Sequence, residues 1–188
     1  MSDVTITNDF NLAIPIEEED KILWVHSTPI SKEVFKKFYL PLSKAFSVLH
    51  AEQINMLSGP KIAAYLLQDV ADEMGQGDLI RDGFINEIRR ITNVCLLTDK
   101  GWEVWPLETA AKKKRISADN VDEVTSAAVF FTLNWHGLPK IIRKRMIQST
   151  AEMHNWSLTS LSPMEWIDTL PKSTPEESSP PETSSVPH

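Results

Sequence analysis

Residues 10–27 read FNLAIPIEEEDKILWVHS, and this stretch predicts the first part of the fold. Apolar residues occupy every second position at its start, namely Phe10, Leu12, Ile14 and Ile16. An acidic run then separates them from a second apolar stretch, KILWVHS, so the segment predicts a β-hairpin with a solvated acidic turn. Pro15 has no backbone N–H to donate, and the first strand is therefore expected at a sheet edge.

Helical spacing dominates the next two segments. Residues 31–50 place apolar side chains on one helical face after the N-cap Ser31, but Pro41 lies inside the pattern and should kink or split the helix. A kink is favoured because the apolar phase continues past the proline. Residues 59–75 predict a second helix, with Pro60 at its start and a glycine just past its end.

A third helix is predicted over residues 81–94, where Phe84, Ile88, Ile91 and Cys95 follow helical spacing. Cys95 continues that apolar face and is interpreted as a small buried hydrophobe, since a reactive thiol needs a basic, partly exposed setting. Residues 94–107 then predict two short strands around a turn at 99–101. Trp102 and Trp105 should point to opposite faces of the second of these strands.

The C-terminal half predicts three more helices. The first begins after Ser117 and ends at Gly137, with an apolar stripe formed by Val124, Ala127, Phe131 and Trp135. The second covers residues 138–156; it is apolar at Ile142, Met146 and Met153 and basic at Lys140, Arg143, Lys144 and Arg145. The third is short, SPMEWIDTL at 162–170, with a serine cap and a proline at its first position.

These elements predict an α+β fold. We expect a mostly helical single domain over residues 1–170, with two small β-hairpins. Residues 171–188 are composed mainly of Pro, Ser, Thr and Glu, so they predict a disordered C-terminal tail.

Composition and charge argue against several function classes. The 188 residues carry a net charge of -7, whereas holding nucleic acid favours a basic surface. The sequence lacks an apolar run long enough to span a membrane, and its polar, acidic start does not resemble a secretory signal. A single cysteine cannot form an internal disulfide, and we expect a cytoplasmic protein that binds neither nucleic acid nor membrane.

Catalytic signatures are also missing from the sequence. It has no glycine-rich phosphate loop and no G-x-S-x-G nucleophile elbow. The histidines are scattered, without the i, i+4 spacing of a metal pair, and are interpreted as surface or core residues. We therefore expect a protein that is not an enzyme and that has neither a cofactor nor a metal site.

Two features indicate protein partners instead. The basic clusters at 112–115 and 140–145 could together form a patch for phosphates or for an acidic protein segment, of which the protein segment is favoured, or could simply balance the acidic segments around them. The closing helix at 162–170 is too short to be stable alone, so it docks either on its own core or on a partner or second copy. The candidate partner-binding residues are Trp156, Leu161, Met164, Trp166, Ile167, Lys140, Arg143 and Lys144.

The order of STPISKEVFKKFYLPLSKAF, GPKIAAYLLQDVA, FINEIRRIT and LTSLSPMEWIDTLPKST resembles the tail assembly chaperones of long-tailed bacteriophages. The likeness extends over nearly the whole chain, but its motifs are packing and boundary residues. It implies a non-enzymatic protein of the host cytoplasm that coats the helical tape-measure protein and helps tail-tube subunits polymerise, with self-association as a further expectation. The alternative is a structural subunit of the tail or of the head-to-tail connector that stays in the virion.

Overall fold

The structure, a computed structural model, describes residues 10–19, 21–52 and 57–171. It confirms the α+β class. The predicted disordered tail lies outside the described residues, apart from Pro171.

One antiparallel sheet contains both predicted hairpins. Its strands are β1 (Asn11–Glu18), β2 (Lys21–Ser27), β3 (Thr92–Thr98), β4 (Gly101–Pro106) and β5 (Ser157–Thr159), in the order β4-β3-β2-β1-β5. The two hairpins are not separate, because β2 pairs with β3 and places Trp24 opposite Cys95. The short strand β5 was not predicted, and it pairs with the start of β1.

The helices surround one face of this sheet and cap part of the other. They are α1 (Lys32–Lys37), α2 (Tyr39–Ala51), α3 (Gly59–Glu73), α4 (Gly77–Leu79), α5 (Asn86–Arg90), α6 (Leu107–Lys112), α7 (Ala118–Gly137), α8 (Lys140–Met153) and α9 (Pro163–Ile167). A π-helical segment, Ile80–Ile85, joins α4 to α5.

Pro41 splits the predicted helix at 31–50, whereas the sequence favoured a kink. Helix α1 ends at Lys37 and α2 begins at Tyr39, so the break lies just before the proline. The physical reason is that Pro41 cannot donate to the carbonyl of Lys37, and its ring clashes with that carbonyl. The apolar residues on the two sides of the break nevertheless face the same core, since Phe38 and Leu42 are both buried.

The third predicted helix, over residues 81–94, is too long at its C-terminal end. Helical structure ends with α5 at Arg90, and β3 begins at Thr92, so residues 92–94 belong to a strand. Cys95 lies on β3 and not on a helix, although its predicted burial is confirmed because its exposure is 0%. Burial also raises the pKa of its thiol to about 12.

Helix α7 is the centre of the domain. Its predicted stripe, including Phe131 and Trp135, packs against the inner face of the sheet. Phe130 and Leu133 point the other way and pack against α2, α3 and the π-helical segment. A helix that is apolar on both sides is expected to be buried on both sides, and α7 thus joins the sheet layer to the helical layer.

The two tryptophans of β4 lie on opposite faces, as predicted. Trp105 packs with the inner-face cluster, whereas Trp102 packs on the outer face beside Trp24 and Trp166. The outer face is covered over β3 and β4 by α9.

The β1 edge of the sheet is protected locally. Strand β5 pairs with Asn11–Ala13 and is the last strand of the sheet, so β1 is not the edge strand that the sequence predicted; at Pro15, however, no strand of the described residues pairs with β1 on this side. Asn120 blocks the next part of this edge, because its Nδ2 donates to the Glu17 carbonyl at 2.9 Å and to Glu18 Oε2 at 2.7 Å. Glu18 therefore ties the hairpin to the start of α7, and not every residue of the acidic connection is simply solvated.

Candidate protein-binding surface

The structure divides the predicted partner-binding residues into two groups. Lys140, Arg143 and Lys144 lie on the first half of α8. Trp156 precedes β5, and the remaining four lie between β5 and the end of α9.

Helix α9 docks on the chain's own sheet. A capping box begins it: the Ser162 hydroxyl accepts from the Glu165 N–H, while the Glu165 carboxylate accepts from Ser162. Ile167 is only 5% exposed and packs against Cys95, and Trp166 meets Trp24 edge-on with 5.8 Å between ring centroids. Ile167 therefore has little surface to offer to a partner in this arrangement.

The segment before α9 is also fixed to the sheet. The Leu161 carbonyl accepts a hydrogen bond from Asn11 Nδ2 at 2.8 Å, and it lies 3.1 Å from His26 Nε2. Leu161 itself is half-buried. Of the residues predicted on α9, Met164 is the one that projects well into solvent, with 61% of its surface exposed.

Trp156 forms a wall between two grooves. On one side lies a groove of about 320 Å³ that includes Phe10, Lys144 and Leu158. On the other side lies a groove of about 140 Å³ between β1 and the start of α3. The indole packs against both layers of the core and stacks on His154 with 4.7 Å between ring centroids, so Trp156 has a structural role as well as lining both grooves.

Two of the predicted basic side chains are held by the fold. The Arg143 guanidinium lies over the Trp135 ring at 5.1 Å and donates to the Leu138 carbonyl at 3.3 Å. The Lys144 ammonium lies over the Phe10 ring at 5.6 Å. Cation–π contacts of this kind fix the stems of these side chains while leaving positive charge at the surface.

An exposed apolar row runs along α8. The side of this helix that faces the domain carries Ile147, Thr150 and Ala151, all of which are buried. The apolar residues that the sequence indicated are instead 44%, 37% and 49% exposed; they are Ile142, Met146 and Met153. Their spacing of i, i+4 and i+11 keeps them on one side of the helix, and we name them the α8 stripe.

The α8 stripe was not among the predicted partner-binding residues. The sequence contained its signal, which is the regular spacing of the three apolar residues within a basic helix. It did not reveal that the stripe faces solvent, because the buried side of α8, formed by Ile147, Thr150 and Ala151, is no more apolar than the stripe. Ile141, which is 90% exposed, projects from a different side of the same helix.

The basic cluster at 112–115 lies in a balanced electrostatic environment. Lys114 and Arg115 line a groove of about 360 Å³ together with Glu18, Asp99 and Glu103. Opposite charges within one open groove partly cancel, so this region supports the interpretation that the cluster balances its acidic neighbours.

Metal sites and membrane-spanning helices are two other classes of feature. Over 10–19, 21–52 and 57–171, no group of three or more His, Cys, Asp or Glu side chains is arranged to hold a metal ion. In the same part of the chain, none of the helices combines the length and apolar character needed to cross a bilayer.

Two buried histidines predict a pH-dependent stability. Burial lowers the pKa of His26 and of His136, although each Nε2 lies 3.1 Å from a carbonyl oxygen, that of Leu161 and that of Ile30. The folded state therefore binds fewer protons than the unfolded state below the ordinary histidine pKa of about 6.5. The free energy of unfolding should therefore fall as the pH drops below about 6.5. The fall should end once the pH is below the lowered pKa values of the two histidines.

The measurement is urea denaturation at several pH values between about 7.5 and 5, above the range in which ordinary carboxylates titrate. The variant His26→Gln keeps a side-chain N–H donor but cannot titrate, and it should show a smaller loss of stability over this range. An equal pH dependence in wild type, His26→Gln and His136→Gln would contradict the assignment.

The chain matches no protein-family model, and it has no significant match among curated proteins or solved structures.

Proposed function

We propose that the chain is a non-enzymatic assembly chaperone that binds the tape-measure protein of a long-tailed bacteriophage. In this proposal it keeps that client in solution in the host cytoplasm and promotes polymerisation of the tail-tube protein around it. The observation that supports the proposal is the α8 stripe, an exposed apolar row on a basic helix of a chain with net charge -7.

The stripe has the properties that a client-holding surface needs. Ile142, Met146 and Met153 are each roughly half exposed, and burying the rest of each side chain contributes about 1 kcal/mol. Methionine is unbranched and adapts to differently shaped apolar surfaces, which suits a client that offers many similar helical segments. One contact is weak, but many copies bound along one long client would prevent that client from aggregating.

Charge supports the same proposal. The client's apolar surface would be masked by the stripe, while the acidic remainder of the chaperone would face solvent and keep the complex from associating further. The exposed basic residue beside the stripe, Arg145, would favour client segments that carry acidic side chains.

The test is co-expression with the tape-measure protein encoded in the same genome. We expect the double variant Ile142→Asp and Met153→Asp to lower the soluble fraction of the client to that seen without the chaperone. The control is Ile141→Asp, which introduces one of the same carboxylates at a more exposed position on another side of α8 and should leave client solubility unchanged. Met164→Asp tests the exposed part of α9 in the same way.

Two results would contradict the proposal. One is a client that remains equally soluble with wild type, the double variant and no chaperone at all. The other is recovery of the chain in purified virions in stoichiometric amounts, which would favour a structural subunit of the tail or connector. Far-UV circular dichroism on each variant separates loss of binding from loss of folding.

A further inference from the structure

We infer that two copies of the chain pair through their α8 stripes, with the two helices antiparallel about a two-fold axis. A symmetric pair uses the same surface on both copies, so the surface must be complementary to itself. The α8 stripe meets this condition in its shape and in its charges.

The spacing of the stripe suits an antiparallel partner. Ile142 lies near one end and Met153 near the other, so in an antiparallel pair each Ile142 meets Met153 of the second copy. Met146 then lies opposite Ser149 of the second copy, where the small serine leaves room for the longer methionine. At the centre of the contact, each Met146 therefore packs against a small Ser149. At the two ends, Ile142 packs against Met153, so the side chains of the two helix surfaces interdigitate.

Charges beside the stripe select the antiparallel orientation. Arg145 and Glu152 are seven residues apart, so they lie about two turns apart on the same flank of α8. Both are exposed, and the Glu152 carboxylate accepts a local hydrogen bond from Gln148 Nε2 at 3.1 Å. An antiparallel two-fold pair places these flanks side by side and brings each Arg145 near Glu152 of the second copy, whereas a parallel two-fold pair would place the flanks on opposite sides of the contact and lose both ion pairs.

The other basic residues of α8 do not oppose this pairing. Lys140 and Lys144 project from the side opposite the stripe, and the Lys144 ammonium lies over the Phe10 ring. Arg143 is directed onto Trp135 and the Leu138 carbonyl. The positive charge of the helix is thus mostly turned away from the contact.

The expected dimer is weak. Stable interfaces bury about 800 Å² on each partner, and three half-exposed side chains with their flanks supply less than that. A weak dimer would cover the stripe in the free protein and open when a client competes for it. The inference concerns the surface to which the proposed function assigns the client, but it does not depend on the identity of that client.

The first experiment is sedimentation velocity on the full chain over a series of protein concentrations from micromolar to millimolar. We expect a monomer–dimer equilibrium for wild type and for Ile141→Asp. Ile142→Asp, which adds two buried charges to each dimer, should raise the dissociation constant by about tenfold or more. A chain that stays monomeric throughout, or a dimer equally strong in Ile142→Asp, would overturn the inference.

The second experiment tests the register by charge reversal. Arg145→Glu alone and Glu152→Arg alone each replace two attractive pairs with two repulsive ones, and each should weaken the dimer by about three- to tenfold. The double reversal restores opposite charges across the contact and should return the dissociation constant to near the wild-type value. A double variant as weak as the single ones would show that these residues do not meet.

These measurements are made on the protein alone, so they separate the inference from the proposed function. If client solubility depends on the stripe but the protein alone forms no dimer, the chaperone proposal stands and the self-pairing is rejected. If the stripe forms a dimer but its variants do not change client solubility, the self-pairing stands and the chaperone proposal loses its support.

Discussion

Phe130→Ala is expected to lower the free energy of unfolding by about 3–5 kcal/mol, the cost of deleting a large side chain from a core that cannot close around the gap. Phe130 is 1% exposed and lies between α7 and the helical layer. Its ring is so close to α3 that a Cβ added at Gly59 would overlap it. The cavity would therefore open at the junction that holds the helices to the rest of the domain.

Urea denaturation followed by far-UV circular dichroism measures this change. Tyr65→Ala is the matched control, since Tyr65 is also a helical aromatic residue but is 61% exposed, and it should shift stability by no more than about 0.5 kcal/mol. If Phe130→Ala were as mild as Tyr65→Ala, α7 could not be packed between two layers as described.

The position of Phe130 shows what local sequence can and cannot specify. Helix starts are local features, and the caps predicted at Ser31, Ser117 and Ser162 are confirmed because each serine side chain accepts from a backbone N–H three residues later. The stripe of α7 on the sheet side is likewise visible from spacing. That the opposite side of α7 is equally buried depends on α3, which lies about 60 residues away in the chain.

Strand β5 was missed for a related reason. It is three residues long, too short for any periodic pattern, and it exists because the start of β1 offers it an unpaired edge. One local signal was present: α8 ends near Asn155, which has φ +56°, and asparagine adopts this left-handed conformation more readily than most residues.

The α8 stripe illustrates the limit for the candidate site. Spacing showed that Ile142, Met146 and Met153 share one side of the helix, yet the same pattern fits a buried side and an exposed side equally well. The decision is made by tertiary contacts, which place α8 against α7 and β5 through Ile147, Thr150 and Ala151. Exposure, which makes the stripe a binding candidate, is therefore a property of the folded chain and not of the segment.

Ile167→Asp is the second change with a large expected effect, and it tests how α9 is used. Ile167 is 5% exposed and packs with Cys95 and Leu170, so an aspartate there would place a carboxylate without a partner in an apolar cluster. We expect a loss of about 3–5 kcal/mol in the free energy of unfolding. If α9 detaches first, the loss is limited to the free energy with which it docks.

Detachment of α9 has its own readout. Trp24 and Trp102 lie beneath this helix and pack in the same cluster as Trp166 of α9, so exposure of these indoles to water should shift the tryptophan emission to longer wavelength. Amide hydrogen exchange should rise over residues 160–171 and not in α7. Met164→Asp is the matched control on the same helix, because Met164 is 61% exposed and a carboxylate near a helix N-terminus is not unfavourable.

Comparison of these two variants decides between the alternatives that the sequence left open for the closing helix. If Ile167→Asp destabilises the protein and Met164→Asp does not, α9 is docked on its own sheet in solution, and a partner can reach only its outer side. Equal stability of the two variants would mean that α9 contributes nothing to the isolated fold. The apolar side of α9 would then be available for a partner, and α9, not the α8 stripe, would become the first surface to test against the client.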